Sequence, residues 1–424
     1  MSVYDQVRQI ARQSQAASRV MRGAGSQNRL LETIAGLLET NTERILAANE
    51  RDMEQAKANE MPSGLQDRLQ LTSVRVQALA DAVRDIAALP SPIGQTLWGR
   101  TMENGLRIEQ IRVPLGVVAM IYEARPNVTV DAAALSLKTN NAVILRGGSA
   151  AVHSNRTLVD IIQQALEQQG LPRDAVQTLD GLGREAVEAI LTQRGLVDLA
   201  IPRGGAGLIE MVVNTATVPV IETGVGNCHI YVDQSAKLDD ALRIVINAKT
   251  QRVGVCNAAE TLLVDRGIAP AFLPLVLPAL AANQVRLHTD EATRMVARQH
   301  PETEQIDLVP ATEKDWETEY LDYDLAVRLV DGVDAAIDHI TRYSTGHTEA
   351  VVAQDQDVID HFVNAVDAAA IAVNASTRFT DGAVFGLGAE IGISTQKLHA
   401  RGPMGMEALT TTKSVIRGHG QVRS

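Results

Sequence analysis

Cysteine is nearly missing from this sequence: two in 424 residues, at 228 and 256, with no CxxC pair. That excludes a disulfide scaffold, and the nine histidines, scattered without an HxxH spacing, argue against a metal site. Aromatic residues make up only 3% and the net charge is −12, so the basic face and stacking rings of a nucleic-acid groove are lacking. No GxxxxGK[ST] run is present, which sets aside P-loop nucleotide hydrolysis. The greasiest stretch, 268–282, is broken by Pro270, Pro274 and Pro278 and falls short of the about 20 residues that span a bilayer; it is expected as a buried helix or loop. The first residues show no basic start followed by an apolar core, so the expected compartment is a reducing cytoplasm.

What is there is apolar enough, at 45%, to build two domains or more at this length. Residues 1–88 carry apolar side chains at spacings of three and four and read as helices. Residues 105–114 alternate, as an exposed strand or hairpin does. From residue 116 the texture becomes strand, helix, strand, helix: strands at 116–122, 142–145, 176–179, 196–201 and 218–221, helices at 127–138, 150–169, 185–193 and 205–214. This alternation predicts a doubly wound parallel sheet, with ligand loops beyond the carboxyl ends of the strands. A shorter α/β series follows, with strands at 230–232, 261–264, 325–329, 350–352 and 370–373, a polar acidic stretch at 303–324, and a hinge at 224–227. The β-branched tail, 408–416, is expected to be a strand pairing with the 105–114 segment of a neighbouring subunit.

Cys256 stands out as the candidate nucleophile. Lys249 and Arg252 lie just upstream, and nearby cations lower a thiol's ordinary pKa of about 8.5; the alternative is an inert, buried cysteine. Two loops on one edge of the expected sheet pair arginine with glycine: Arg146-Gly147-Gly148-Ser149, where Ser149 can cap a helix and the glycines let a ligand approach, and Pro202-Arg203-Gly204-Gly205. Together they suit an anionic ligand such as a phosphorylated dinucleotide. The GxGxxA at 181–186 is read as a turn, since two strands precede it. Asn127 follows a strand and is either a helix cap or an amide donor to an oxyanion.

These residues together resemble the aldehyde dehydrogenase superfamily, and within it the branch that reduces a γ-glutamyl phosphate. The similar stretches include Tyr122-Glu123-Ala124-Arg125-Pro126-Asn127, Ile144-Leu145-Arg146-Gly147-Gly148-Ser149, Glu222-Thr223-Gly224-Val225-Gly226-Asn227-Cys228-His229, Gln251-Arg252-Val253-Gly254-Val255-Cys256-Asn257 and Ala400-Arg401-Gly402-Pro403-Met404-Gly405. The resemblance implies a doubly wound cofactor domain at 1–223 with an oligomerisation hairpin at 98–114 inserted, a smaller α/β catalytic domain at 224–395, and a tail at 396–424 with an oligomerisation strand. It implies NADPH-dependent reduction of L-glutamate 5-phosphate to L-glutamate 5-semialdehyde and phosphate through a Cys256 thioester, in proline biosynthesis. Asn127 with the Cys256 amide would form the oxyanion hole. NADPH would be held by Arg146, Gly147, Gly148, Ser149, Pro202, Gly204 and Gly205, with Glu319 on the nicotinamide ribose. Arg125, Arg252 and Arg378 are candidate grips for the substrate's anionic ends. Glu222 stands where hydrolytic relatives carry a water-activating base, and with phosphate as the partner its role stays open. The implied partners are the small-molecule substrate, further copies of the chain and glutamate 5-kinase, with no metal. Two alternatives remain at this point: a hydrolytic or CoA-acylating aldehyde dehydrogenase with Glu222 as base, and a non-catalytic dinucleotide sensor.

Overall fold

Residues Val117–Tyr122 form a strand buried at every position, a pattern that requires a strand on each edge and cover on both faces. The computed structural model, which describes residues 1–423, supplies parallel partners at Ala142–Arg146 and Leu199–Arg203. Val176–Thr178 joins beyond Ala142–Arg146, giving a four-stranded parallel sheet. The run at 218–221, expected as a full strand, contributes one parallel bridge from Val220 to Ala200; Pro219 has no N–H to offer a ladder. Five helices precede the sheet, and Leu30, Leu31, Ile34 and Leu38 of Asn28–Thr40 are buried, following the apolar spacing.

The chain divides into two compact units. The first holds Met1–Thr223 together with Gly386–Gly392 and residues 404–423; the second holds Gly224–Phe385 and Ile393–Pro403. The continuous catalytic domain expected at 224–395, with a separate tail after it, is therefore corrected. Ile391 N donates to Met404 O at 2.9 Å and Met404 N to Gly392 O at 2.8 Å, and the Arg203 guanidinium donates to Ile391 O at 2.8 Å, all within the first unit.

A second correction concerns the tail. Thr410–Arg417 pairs antiparallel with Arg107–Pro114 of its own chain, Thr410 opposite Pro114 and Arg417 opposite Arg107. Thr96–Thr101 lies on the other edge of Arg107–Pro114. The segment expected to find its partner in a neighbouring subunit is thus the middle strand of a three-stranded sheet closed within the chain.

The second unit is built on a seven-stranded sheet with the order Leu308–Pro310, Arg286–Thr289, Asp324–Val330, Ala259–Asp265, Cys228–Val232, Thr348–Val352, Ala370–Val373, parallel throughout. Its sheet is larger than that of the first unit. Two of its strands, at 286–289 and 308–310, are short elements at one side of the sheet that the sequence reading passed over. Ala269–Ala282 is a helix despite Pro274 and Pro278 inside it, and buries Phe272, Leu273, Val276, Leu277 and Leu280 against the sheet. Among the described residues no helix is long and apolar enough to cross a membrane.

Candidate active site

Cys256 occupies a turn between the helix Leu238–Thr250 and the strand Ala259–Asp265, at the amino end of a central strand. Ala258 N donates to Val255 O at 3.1 Å and closes the turn. The next two carbonyls are held as well. Cys228 Sγ donates to Cys256 O at 3.1 Å, and Thr377 Oγ1 donates to Asn257 O at 2.6 Å. Asn257 Nδ2 in turn donates to Thr380 O at 2.8 Å. The run 224–227 packs directly on this turn: a Cβ on Gly226 would lie 1.5 Å from Cys256 O and 2.4 Å from its carbon, so only glycine fits. Gly226 N donates to Glu319 Oε1 at 2.8 Å, and Asn227 is pinned by Thr345 Oγ1 at 3.1 Å, Trp316 O at 2.8 Å and Tyr343 O at 2.9 Å. Every one of these groups precedes or follows a strand of the seven-stranded sheet, and Cys256, residues 224–227 and Glu319 all lie on its amino edge.

The charges around the turn differ from expectation in one respect. Lys249, read as a cation acting on Cys256, is fully buried and paired at 2.6 Å with the equally buried Glu260, so its charge is spent within the pair. Burial pushes the Glu260 carboxyl up to about 7, with Lys249 the first influence opposing it. The cations left beside the nucleophile are Arg252, which is exposed, and Arg378, which is half-buried and donates to Gln251 Oε1 at 2.8 Å. Burial lowers the pKa of Arg378; the charge of Asp381 opposes this first, that of Arg252 acts in the same sense as burial and that of Cys256 against it. Cys228 contrasts with Cys256: burial, and next the charge of Glu349, push its thiol well above the usual range. Neither cysteine is in a disulfide, Cys228 being buried and Cys256 partly exposed.

In the first unit the candidate residues gather at the carboxyl edge of the four-stranded sheet. Asn127 is not the helix cap: Arg125 takes that position and Pro126 opens the helix Pro126–Lys138, so Asn127 lies in its first turn, exposed, with Nδ2 3.4 Å from Asp131 Oδ2. Burial pushes Asp131 up to about 6, opposed by the charge of Arg203 and the hydrogen bond from Asn127. Arg125 and Glu222 are half-buried in this unit.

In the loop at 146–149 the glycines also have a packing reason. A Cβ on Gly147 would lie 2.1 Å from Asn155 Nδ2, and one on Gly148 2.6 Å from Ala124 N. Ser149 does not cap a helix. It opens a short 3-10 turn, and the first turn of Val152–Gln168 is capped by Asp52, whose carboxylate accepts from His153 N at 3.1 Å and Ser154 N at 2.7 Å. Gly147 N donates to Asp180 at 2.9 Å, and Gly205 N, beside Gly204 and the strand residue Pro202, donates to Glu123 at 2.8 Å. Arg146 contacts Gly147 O through one nitrogen, while its buried Nε has no hydrogen-bond partner. An anionic ligand would supply the missing acceptor.

The structure therefore brings Cys256, Arg252, Arg378 and Glu319 together in the second unit, and Asn127, Arg125, Glu222 and both loops in the first. Sequence reasoning missed Cys228, Thr377 and Asp131; it took Glu123 and Asp180 as the starts of site loops and Gly226 as part of a hinge, without the contacts they make here. Asp131 had a usable signal, four residues beyond Asn127 on a helix, where side chains meet; the contacts of Cys228 and Thr377 with the turn have no local signature. Among the described residues no cluster of three or more His, Cys, Asp or Glu could hold a metal ion.

The sequence matches the profile of the aldehyde dehydrogenase family over residues 3–310. It is 54% identical to γ-glutamyl phosphate reductase from Thermobifida fusca over 98% of both chains. The same-named protein of Moorella thermoacetica is 53% identical over the full length of each. The crystal structure of γ-glutamyl phosphate reductase from Thermotoga maritima superposes with a TM-score of 0.95 at 45% identity, covering 99% of this chain and 100% of that one.

Proposed function

The chain belongs to the aldehyde dehydrogenase family and, within it, to the γ-glutamyl phosphate reductases; on that premise we propose that it reduces L-glutamate 5-phosphate to L-glutamate 5-semialdehyde and phosphate with NADPH, through an acyl-enzyme on Cys256. The observation that carries this reading is the turn 255–258, held carbonyl by carbonyl, which presents a partly exposed cysteine with Arg252 and Arg378 nearby.

The Cys256 thiolate attacks the acyl carbon of the substrate; a C–S bond forms, the C–O bond to phosphorus breaks, and phosphate leaves with the bond pair. Arg252 and Arg378 favour both the thiolate and the departing phosphate by charge. The side-chain amide of Asn127, steadied by Asp131, and the Cys256 N–H are the proposed donors to the oxyanion, a role in which one donor is worth about 10²–10³ in rate. The family uses a nicotinamide cofactor, which when bound supplies the hydride that turns the thioester into the aldehyde and releases the thiolate. Arg146 suits a phosphorylated form of that cofactor, since its buried Nε lacks an acceptor. Asp180 and Glu123 set the two loops by binding their backbone N–H groups. Pro202, Gly148, Ser149 and Gly204 shape the same edge, and Glu319 both supports Gly226 and is the candidate for the ribose. Arg125 is the remaining candidate grip for the substrate. No base is called for in this scheme, because phosphate is displaced rather than water activated, and Glu222 is left without a proton to move.

The test is an assay in both directions. Cys256→Ala should form no semialdehyde while still binding NADPH, and oxidation of the semialdehyde by the wild-type protein should require inorganic phosphate. Oxidation at full rate without phosphate would move the assignment to a hydrolytic dehydrogenase. The acyl phosphate is a reactive mixed anhydride, so handover from glutamate 5-kinase and assembly into a homo-oligomer belong to the same reading; co-sedimentation with the kinase tests both.

A further inference from the structure

The sequence has only two cysteines, and the second is built into the support of the first. Cys228 opens the strand Cys228–Val232 and is fully buried. Its Sγ lies 3.1 Å from Cys256 O and 3.9 Å from His347 Nδ1, and His347 Nδ1 is already 2.8 Å from Thr348 Oγ1. The short contact to the carbonyl is therefore the bond in which the thiol donates, while the backbone of Thr348 bonds to the sulfur. Backbone donors nearby are committed elsewhere: Gly226 N to Glu319 and Asn227 N to Thr345. Gly226, pressed against the same carbonyl, has no side chain to offer. The carbonyls of Val255 and Asn257 have their own donors in Ala258 N and Thr377 Oγ1. The Cys228 thiol is thus a side-chain donor to the peptide that follows the sulfur-bearing residue. Burial raises the pKa of that thiol, so it stays protonated and a donor throughout the neutral range, and it is withheld from nucleophilic chemistry.

We propose that Cys228 is a positioning residue for the reaction at Cys256: its thiol donates to the Cys256 carbonyl and fixes the backbone from which the nucleophile reaches the acyl carbon. This rests on the reading of Cys256 as the nucleophile. Cys228 touches neither substrate nor cofactor in this role. It acts only through the orientation of the Cys256 peptide, so its loss should slow acylation and leave ground-state binding alone.

In the full-length protein, Cys228→Ala should lower kcat and the single-turnover acylation rate by about tenfold, which at 1.36 kcal/mol per decade is the size of one neutral hydrogen bond. The KM values for acyl phosphate and NADPH should stay within about twofold, because the change touches only the nucleophile's orientation. Iodoacetamide labelling of Cys256 should slow by the same factor as acylation. Cys228→Ser keeps a donor at the same place and should recover most of the loss. Wild-type acylation in Cys228→Ala, or a serine variant as slow as the alanine one, overturns the proposal. Should Cys228→Ala fail to fold, the infrared S–H band of Cys256→Ser decides, since that variant retains a single thiol. A band shifted to lower frequency than that of a thiol in apolar solvent supports the hydrogen bond, and an unshifted band overturns it. Full activity in Cys256→Ala would instead remove the nucleophile assignment itself, an outcome separate from these.

Discussion

Gly226 and Cys256 are so close that a single side-chain carbon on the glycine would lie 1.5 Å from the cysteine's carbonyl oxygen. Backbone cannot yield as the far end of a flexible side chain does, so Gly226→Ala must displace the turn that carries the sulfur. A misplacement of about 1 Å costs about 10²-fold in rate. We expect Gly226→Ala to lose at least that in kcat, with a lowered thermal midpoint. A folded variant turning over at the wild-type rate would show that the turn accommodates the methyl group.

Asp180 holds the loop at 146–149 through Gly147 N at 2.9 Å and orients Asn155 Nδ2 at 2.9 Å. Burial pushes its carboxyl from 3.8 up to about 6. Because the folded pKa is the higher one, the group's contribution to stability is complete below pH 3.8 and is lost as pH rises through about 6. Loop order runs the other way: the ionised form is the better acceptor for Gly147. The KM for NADPH should therefore rise as pH falls through about 6, and Asp180→Asn should raise it at neutral pH and flatten the dependence. A flat wild-type profile would detach Asp180 from cofactor binding.

Asn127 and Asp131 form a pair along one helix at 3.4 Å. Asn127→Ala should cost about 10²–10³ in kcat, the value of one oxyanion donor. Asp131, pushed up to about 6, is the stronger acceptor for the Asn127 amide when ionised, so kcat should fall on the acid side of about pH 6, and Asp131→Asn should remove that limb. An acid limb that survives in Asp131→Asn belongs to another group.

Lys249 and Glu260 are both fully buried and 2.6 Å apart. Lys249→Met leaves Glu260 buried without its partner, and breaking such a pair costs about 3–5 kcal/mol. Replacing both by methionine should return most of that in urea unfolding. If Lys249 instead activates Cys256 from a distance, the double variant will alkylate with a shifted pH dependence; we expect no shift.

The parts of the fold that announced themselves were those whose burial is complete. Val117–Tyr122 is apolar on both faces, so the sequence names a central strand before any partner is known. Arg286–Thr289 and Leu308–Pro310 are the two strands at one side of the seven-stranded sheet, only four and three residues long, and Arg286 and His288 turn toward Asp324 at 2.6 Å each, a pairing visible only in three dimensions. The tail was recognisable as a strand, yet a β pattern specifies an edge and not its owner; the owner proved to be residues 107–114. The same limit governed the site. Cys256 and Arg252 lie near one another in sequence, whereas Arg378 reaches Gln251 from 127 positions away, Thr377 reaches Asn257 from 120 and Cys228 reaches Cys256 from 28. Lys249 looked like a neighbour of the sulfur until Glu260, eleven residues on, was found holding it.

The sheet joining Arg107–Pro114 to Thr410–Arg417 links residues as far apart as Gln110 and Thr412, 302 positions. Ribosomal synthesis delivers the chain from its amino end, so the strand at 107–114 waits with a bare margin until residues 410–417 are made, while most of the second unit, 224–385, has already been synthesised. The half of the molecule that is made first is thus the half that finishes last.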